Sequence, residues 1–201
     1  MFTYGLDPFE PQATAEKQTP VDERWYTQVN SVVTLQTAAF QSYQGGFTKV
    51  RFANACTITD IAINLAATYS GATTRSYRLA AYRDGGSGYQ PGDLIEEPGS
   101  ISITTGTTAG MKSLAFATPI TVAAGETIWL ACQSALVGSG LPTLYVTQGN
   151  LRPYADAGLG NNHGEAVCWA APSSGSFPAS FSQQAEPIVG LTISTYVKVA
   201  V

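Results

Sequence analysis

The run Val189-Gly190-Leu191-Thr192-Ile193-Ser194-Thr195-Tyr196-Val197-Lys198-Val199 decides the fold class. Val189, Leu191, Ile193, Thr195, Val197 and Val199 all stand at odd positions. Successive side chains of a strand point to opposite faces, so this run buries one face and wets the other. On a helix the same residues would spread around the axis and define no stripe. The stretch therefore predicts a half-buried strand.

The same period recurs upstream. Val29 to Phe40 is rich in Val and Thr, and Gly46 to Phe52 alternates. In Ile58 to Leu65, the residues Ile61, Ile63 and Leu65 share one face, with Asp60 and Asn64 on the other. Ile58 joins the buried face only if the chain slips by one residue near Thr59, which predicts a β-bulge there. Arg75 to Arg83 sets Tyr77, Leu79 and Ala81 on one side. Ile101 and Ile103 continue the pattern, as do Leu114 and Phe116, and then Ile128, Leu130 and Cys132. Turn signals separate these runs at Asp84-Gly85-Gly86-Ser87-Gly88, Pro91-Gly92-Asp93, Pro98-Gly99, Ala109-Gly110 and Ala124-Gly125-Glu126. No capped 3.6-period stretch of useful length survives the Gly, Thr and Pro content. Many short strands with such punctuation predict an all-β protein, an antiparallel β-sandwich of the jelly-roll kind.

Two regions break the pattern. Residues 1–24 are interrupted by Pro8, Pro11 and Pro20, with Phe2, Tyr4, Leu6 and Phe9 standing apart. They read as an extended N-terminal arm leading into a sandwich over 25–201. An arm without a core of its own orders by packing on something else, which points to an assembly. Residues 149–187 are rich in Gly, Pro, Ser, Asn and Ala, with Tyr154, His163, Trp169, Phe177 and Phe181 scattered through them. A long irregular segment of this kind is either functional or an interaction loop. Its rings suit stacking on a sugar, with Tyr154, His163 and Trp169 as glycan contacts. Packing of those rings under the loop or against a neighbouring subunit is the favoured alternative.

Composition narrows the function. The 201 residues carry 10 basic and 14 acidic side chains, a net charge of −4, and only 12% are charged. Ten Lys and Arg spread over the chain form no patch for phosphates, so nucleic acid is not an expected partner. No apolar run is long enough to span a membrane as a helix, and Met1 to Pro20 shows no secretory leader pattern. Cys56, Cys132 and Cys168 are an odd number for a disulfide framework and read as structural thiols of a chain made in a reducing cytoplasm.

Catalytic patterns are sparse. His163, the one histidine, lies in Gly160-Asn161-Asn162-His163-Gly164-Glu165 without positioned partners. Gly-x-Ser-x-Gly does not occur, nor a Walker loop, nor zinc spacing. Cys168 with His163 would lack two ligands for zinc. Glu96 and Glu97 are adjacent, so on a strand they point to opposite faces and form no glycosidase pair. Asp84 and Asp93 could hold calcium, but Asp-Gly turn formation is the stronger reading. No cofactor and no metal is expected, and the chain reads as non-enzymatic.

One stretch resembles a known group. Arg78-Leu79-Ala80-Ala81-Tyr82-Arg83-Asp84-Gly85-Gly86-Ser87-Gly88-Tyr89-Gln90-Pro91-Gly92-Asp93-Leu94-Ile95 is similar to a recurrent phrase in jelly-roll modules of tailed-phage virion surface proteins. The phrase continues through the Ser/Thr-rich strand Gly99 to Thr105 and Lys112 to Phe116. It closes on Thr118-Pro119-Ile120-Thr121-Val122-Ala123-Ala124-Gly125-Glu126-Thr127-Ile128-Trp129-Leu130-Ala131. The likeness covers about residues 58–133. It implies a virion structural protein that decorates or cements a capsid as a homotrimer, with the major capsid protein or other virion proteins as partners. Phe2, Tyr4, Leu6 and Phe9 would then be the docking residues. The alternative it implies is a tail-fibre or baseplate receptor-binding protein that grips a host surface polysaccharide. It carries no catalytic residue over. In this reading Pro91-Gly92 turns the chain and releases Leu94 into the core, and Gly125 permits tight entry to the strand carrying Trp129.

Overall fold

The computed structural model describes residues 20–26, 35–39, 44–85, 91–134, 140–148, 168–170, 176–180 and 191–201. Strand β4 (Cys56–Leu65) sets the inner face of one sheet: Ile58, Ile61, Ile63 and Leu65 are buried. Its partner β12 (Thr195–Ala200) runs antiparallel, and the register steps from Lys198↔Asp60 to Val199↔Ile58. Thr59 is thus the extra residue of a bulge, at the slip that the hydrophobic pattern requires. Its hydroxyl donates a 2.7 Å hydrogen bond to Asp60 Oδ2.

The described strands form two antiparallel sheets. In the seven-stranded one, β12 lies between β1 (Trp25–Tyr26) and β4, and β4 also pairs with β7 (Gly110–Val122). At its end, Leu65 meets Leu144 of β9 (Thr143–Gln148), which in turn pairs with β2 (Leu35–Ala39) and β11 (Leu191–Ile193). The five-stranded sheet has the order β10 (Cys168–Ala170), β3 (Gln44–Arg51), β8 (Thr127–Ser134), β5 (Arg75–Asp84), β6 (Pro91–Ile103). The sheets pack face to face as a β-sandwich. The isoleucines of β4 meet Leu79 and Ala81 of β5, and Ile128, Leu130 and Cys132 of β8, in one apolar cluster. Among the described residues there is no helix.

Two expected turns are strand instead. Pro91-Gly92 and Pro98-Gly99 both lie inside β6. Among the described strands, β6 pairs only with β5, so it is an edge strand, and an edge tolerates the missing proline N–H. Gly99 takes φ 122°, and the register shifts between Leu79↔Gly99 and Ala81↔Glu96, so this pair makes a bulge rather than a reversal. Leu94 therefore does not enter the core between the sheets; it packs on a second cluster on the outer face. The turn at Ala124-Gly125-Glu126 is as expected, with Gly125 at φ 75° and its N–H bonded to the Phe52 carbonyl at 2.8 Å.

Glu96 closes the open side of the sandwich. It reaches from β6 to β7, where its carboxylate accepts the N–H groups of Ala117 (2.6 Å) and Thr118 (3.3 Å). Those amides are free because β7 leaves the β4 ladder there: the register jumps from Ile58↔Ile120 to Asp60↔Ala115. A side chain from one sheet thereby satisfies the unpaired edge of the other.

Residues 20–24, placed by the sequence reading in the arm, lie on the sandwich. Glu23 N–H donates to the Val199 carbonyl (2.8 Å) and Val199 N–H to the Arg24 carbonyl (3.3 Å), extending the β1–β12 pairing. Val201 N–H donates to Asp22 Oδ1 at 3.2 Å, and Lys198 pairs with Glu23. Residues 1–19, with Phe2, Tyr4, Leu6 and Phe9, lie outside the described residues.

Candidate interaction surfaces

The outer face of the five-stranded sheet is apolar at its centre. Phe47 of β3, Ala80 and Tyr82 of β5, and Trp129 and Ala131 of β8 are all fully buried there. Phe177 joins them from the segment Ser176–Ser180, which crosses this face. The rings meet edge to face: Phe47 with Tyr82 at 5.8 Å, Phe47 with Trp129 at 6.4 Å, and Tyr82 with Phe177 at 6.3 Å between centroids.

Polar groups fasten this cluster. Trp129 Nε1–H donates to Asp84 Oδ1 (2.9 Å), and Lys49 Nζ lies 5.6 Å from the Trp129 ring centroid. Tyr82 Oη donates to the Pro178 carbonyl (3.0 Å), and Leu94 N–H to the Ala179 carbonyl (2.8 Å). Asp93 and Ser180 form an isolated antiparallel bridge, so the crossing segment also covers part of the β6 edge. Arg78 donates through Nε to Glu97 (2.7 Å) while its guanidinium sits 5.6 Å from the Phe177 ring centroid. Burial pushes the Tyr82 phenol up, helped by the Glu97 carboxylate.

The adjacent glutamates diverge as strand geometry requires: Glu96 reaches β7 and Glu97 pairs with Arg78. Asp84 is engaged by the Trp129 indole. Among the described residues no three His, Cys, Asp or Glu side chains converge as metal ligands. Cys56 and Cys132 are buried free thiols; burial pushes Cys56 up to about 11 and Cys132 further in the same direction.

Of the proposed glycan contacts, Tyr154 and His163 lie outside the described residues. Trp169 stands in β10 opposite Gly45 of β3, at the edge of the five-stranded sheet. Phe177, from the same irregular segment, is buried, with the Arg78 guanidinium over its ring. The cluster of Phe47, Tyr82 and Trp129 was not anticipated from alternation. The signal was present: Ile128-Trp129-Leu130-Ala131-Cys132 is an unbroken apolar run, the mark of a strand covered on both faces.

No known protein-family pattern matches this chain, and no curated protein is significantly similar to it.

Proposed function

We propose that this chain is a non-enzymatic structural protein of a tailed-phage virion, a jelly-roll module that decorates or cements the capsid surface. The observation that carries the reading is the placement of the phage-like phrase. Residues 78–131 supply most of β5 to β8, and the turn-forming residues of the phrase take specific places in the sandwich. Gly125 turns the chain before β8, Asp84 receives the Trp129 indole, and Pro91 and Pro98 sit on an edge strand. These joints stiffen a scaffold and none is poised for chemistry. A double-sided five-stranded sheet with a stapled open edge suits a part that must keep its shape on a particle.

The test is location and attachment. Electron microscopy of intact particles should find the sandwich on the capsid surface, and removal of residues 1–19 should release it. That deletion keeps Pro20 to Arg24, whose bonds to β12 belong to the fold itself. A chain absent from purified virions would overturn the reading.

A receptor-binding role in the tail is the second reading. It is favoured by the position of Trp169 in β10, an edge strand of the five-stranded sheet among the described residues. Trp169→Ala with Tyr154→Ala should abolish host adsorption under this reading and leave it intact under the first.

A further inference from the structure

We propose that the corner formed by Val21 to Arg24 and Val199 to Val201 is a self-docking surface, where a second copy of this chain sets its Arg24 against Glu23 and its Glu23 against Arg24. The inference rests on the assembly reading above and names the surface through which copies would meet.

Two observations converge on this corner. First, Val21 (49% exposed) and Val201 (74%) are the large apolar side chains most open to solvent among the described residues. The Val201–Asp22 and Glu23–Val199 bonds bring their two chain segments to one corner. Exposed apolar groups gathered at one place mark contact sites more often than scattered ones do.

Second, the charges there are self-complementary. Asp22, Glu23 and Arg24 are consecutive and exposed. Glu23 keeps 64% of its side chain in solvent even while paired with Lys198. No carboxylate among the described residues pairs with Arg24. A two-fold axis passing beside Glu23 and Arg24 therefore turns one acid–base couple into two reciprocal ones, the hallmark of an isologous contact. The fold holds the groups in place for this: Glu23 adopts a left-handed φ of 58°, uncommon for a residue with a side chain, and the bonds from Glu23 N–H to the Val199 carbonyl and from Val199 N–H to the Arg24 carbonyl hold it there.

The test uses sedimentation of the full chain. Wild type should sediment above its 21.1 kDa monomer mass. Arg24→Glu and Glu23→Arg should each weaken self-association by roughly 10-fold or more, because like charges then face each other twice. Mixing the two variants should restore association as a heterodimer, since each carries what the other lacks. Near-ultraviolet circular dichroism checks that both remain folded; Glu23 is exposed enough that losing its Lys198 pair costs little. A wild type that stays monomeric at the highest soluble concentration overturns the proposal. So does association indifferent to Arg24→Glu, or a mixture of folded variants that stays apart. Virion location is scored separately: copies that associate here yet are missing from particles would sink the virion reading and leave this contact standing.

Discussion

Trp129 and Asp84 are joined by a 2.9 Å hydrogen bond, and the indole that donates it is fully buried on the outer face of the five-stranded sheet. An indole N–H taken out of water needs an acceptor, and leaving it unpaired costs about 1–3 kcal/mol. Asp84→Ala should lower unfolding stability by that amount in urea titration, whereas Asp84→Asn, which keeps an acceptor oxygen, should lose less than half of it. Equal stability of Asp84→Ala and wild type would show that the bond contributes nothing.

Glu96 staples the two sheets by accepting two backbone N–H groups of β7. Charge-assisted bonds to amides are stronger than neutral ones, but this carboxylate is partly solvated. Glu96→Ala should cost about 1 kcal/mol and speed hydrogen exchange at Ala117 and Thr118. Glu96→Gln should fall between, since its amide oxygen still accepts. The amide exchange of β12 should not move in either variant.

Burial raises the thiol of Cys56 to about 11 from 9.0, and raises Cys132, Tyr77 and Tyr82 in the same direction. The fold therefore favours the neutral form of each group. Below pH 9 the thiols are protonated folded or unfolded, and the fold keeps its full stability. As pH rises from about 9 towards 11 the unfolded thiol ionises first, so stability falls, by on the order of 2 kcal/mol for Cys56 alone. A urea midpoint that stays flat from pH 8 to pH 11 would contradict this. At pH 8 both thiols should resist alkylation in the native state and react on unfolding.

Phe177 anchors the segment Ser176–Ser180 on the outer cluster. Phe177→Ala removes a buried ring and should cost about 3 kcal/mol. The Trp129 emission should shift to longer wavelength as water reaches the cluster. Were the segment merely resting on the sheet, neither quantity would change.

The inner face of the sandwich was legible because period-two alternation marks strands that are dry on one side. Tyr77, Leu79 and Ala81, or Val197 and Val199, announce their sheet face directly, and Thr59 announces its bulge. The outer cluster was harder to read for a physical reason. Alternation says which residues share a face but not whether something covers the opposite one, so it is silent on the burial of Trp129 and Tyr82. Pro98-Gly99 misled because the same dipeptide serves a turn and an edge-strand bulge, and only the neighbours of β6 decide between them. The partners of Glu96 could not be foreseen, since they are backbone amides freed by a register jump in another sheet. Tyr154 and His163 stay sequence proposals.

The antiparallel seam between Glu23–Tyr26 and Val197–Val199 has a mechanical meaning. Tension applied between residues 24 and 199 would act across neighbouring strands, breaking their bonds one after another like the teeth of a zip. Resistance to such a pull is low, and only β1 would peel at first. A load on that seam would strip a short ribbon while the Trp129 cluster, which belongs to the other sheet, kept its shape.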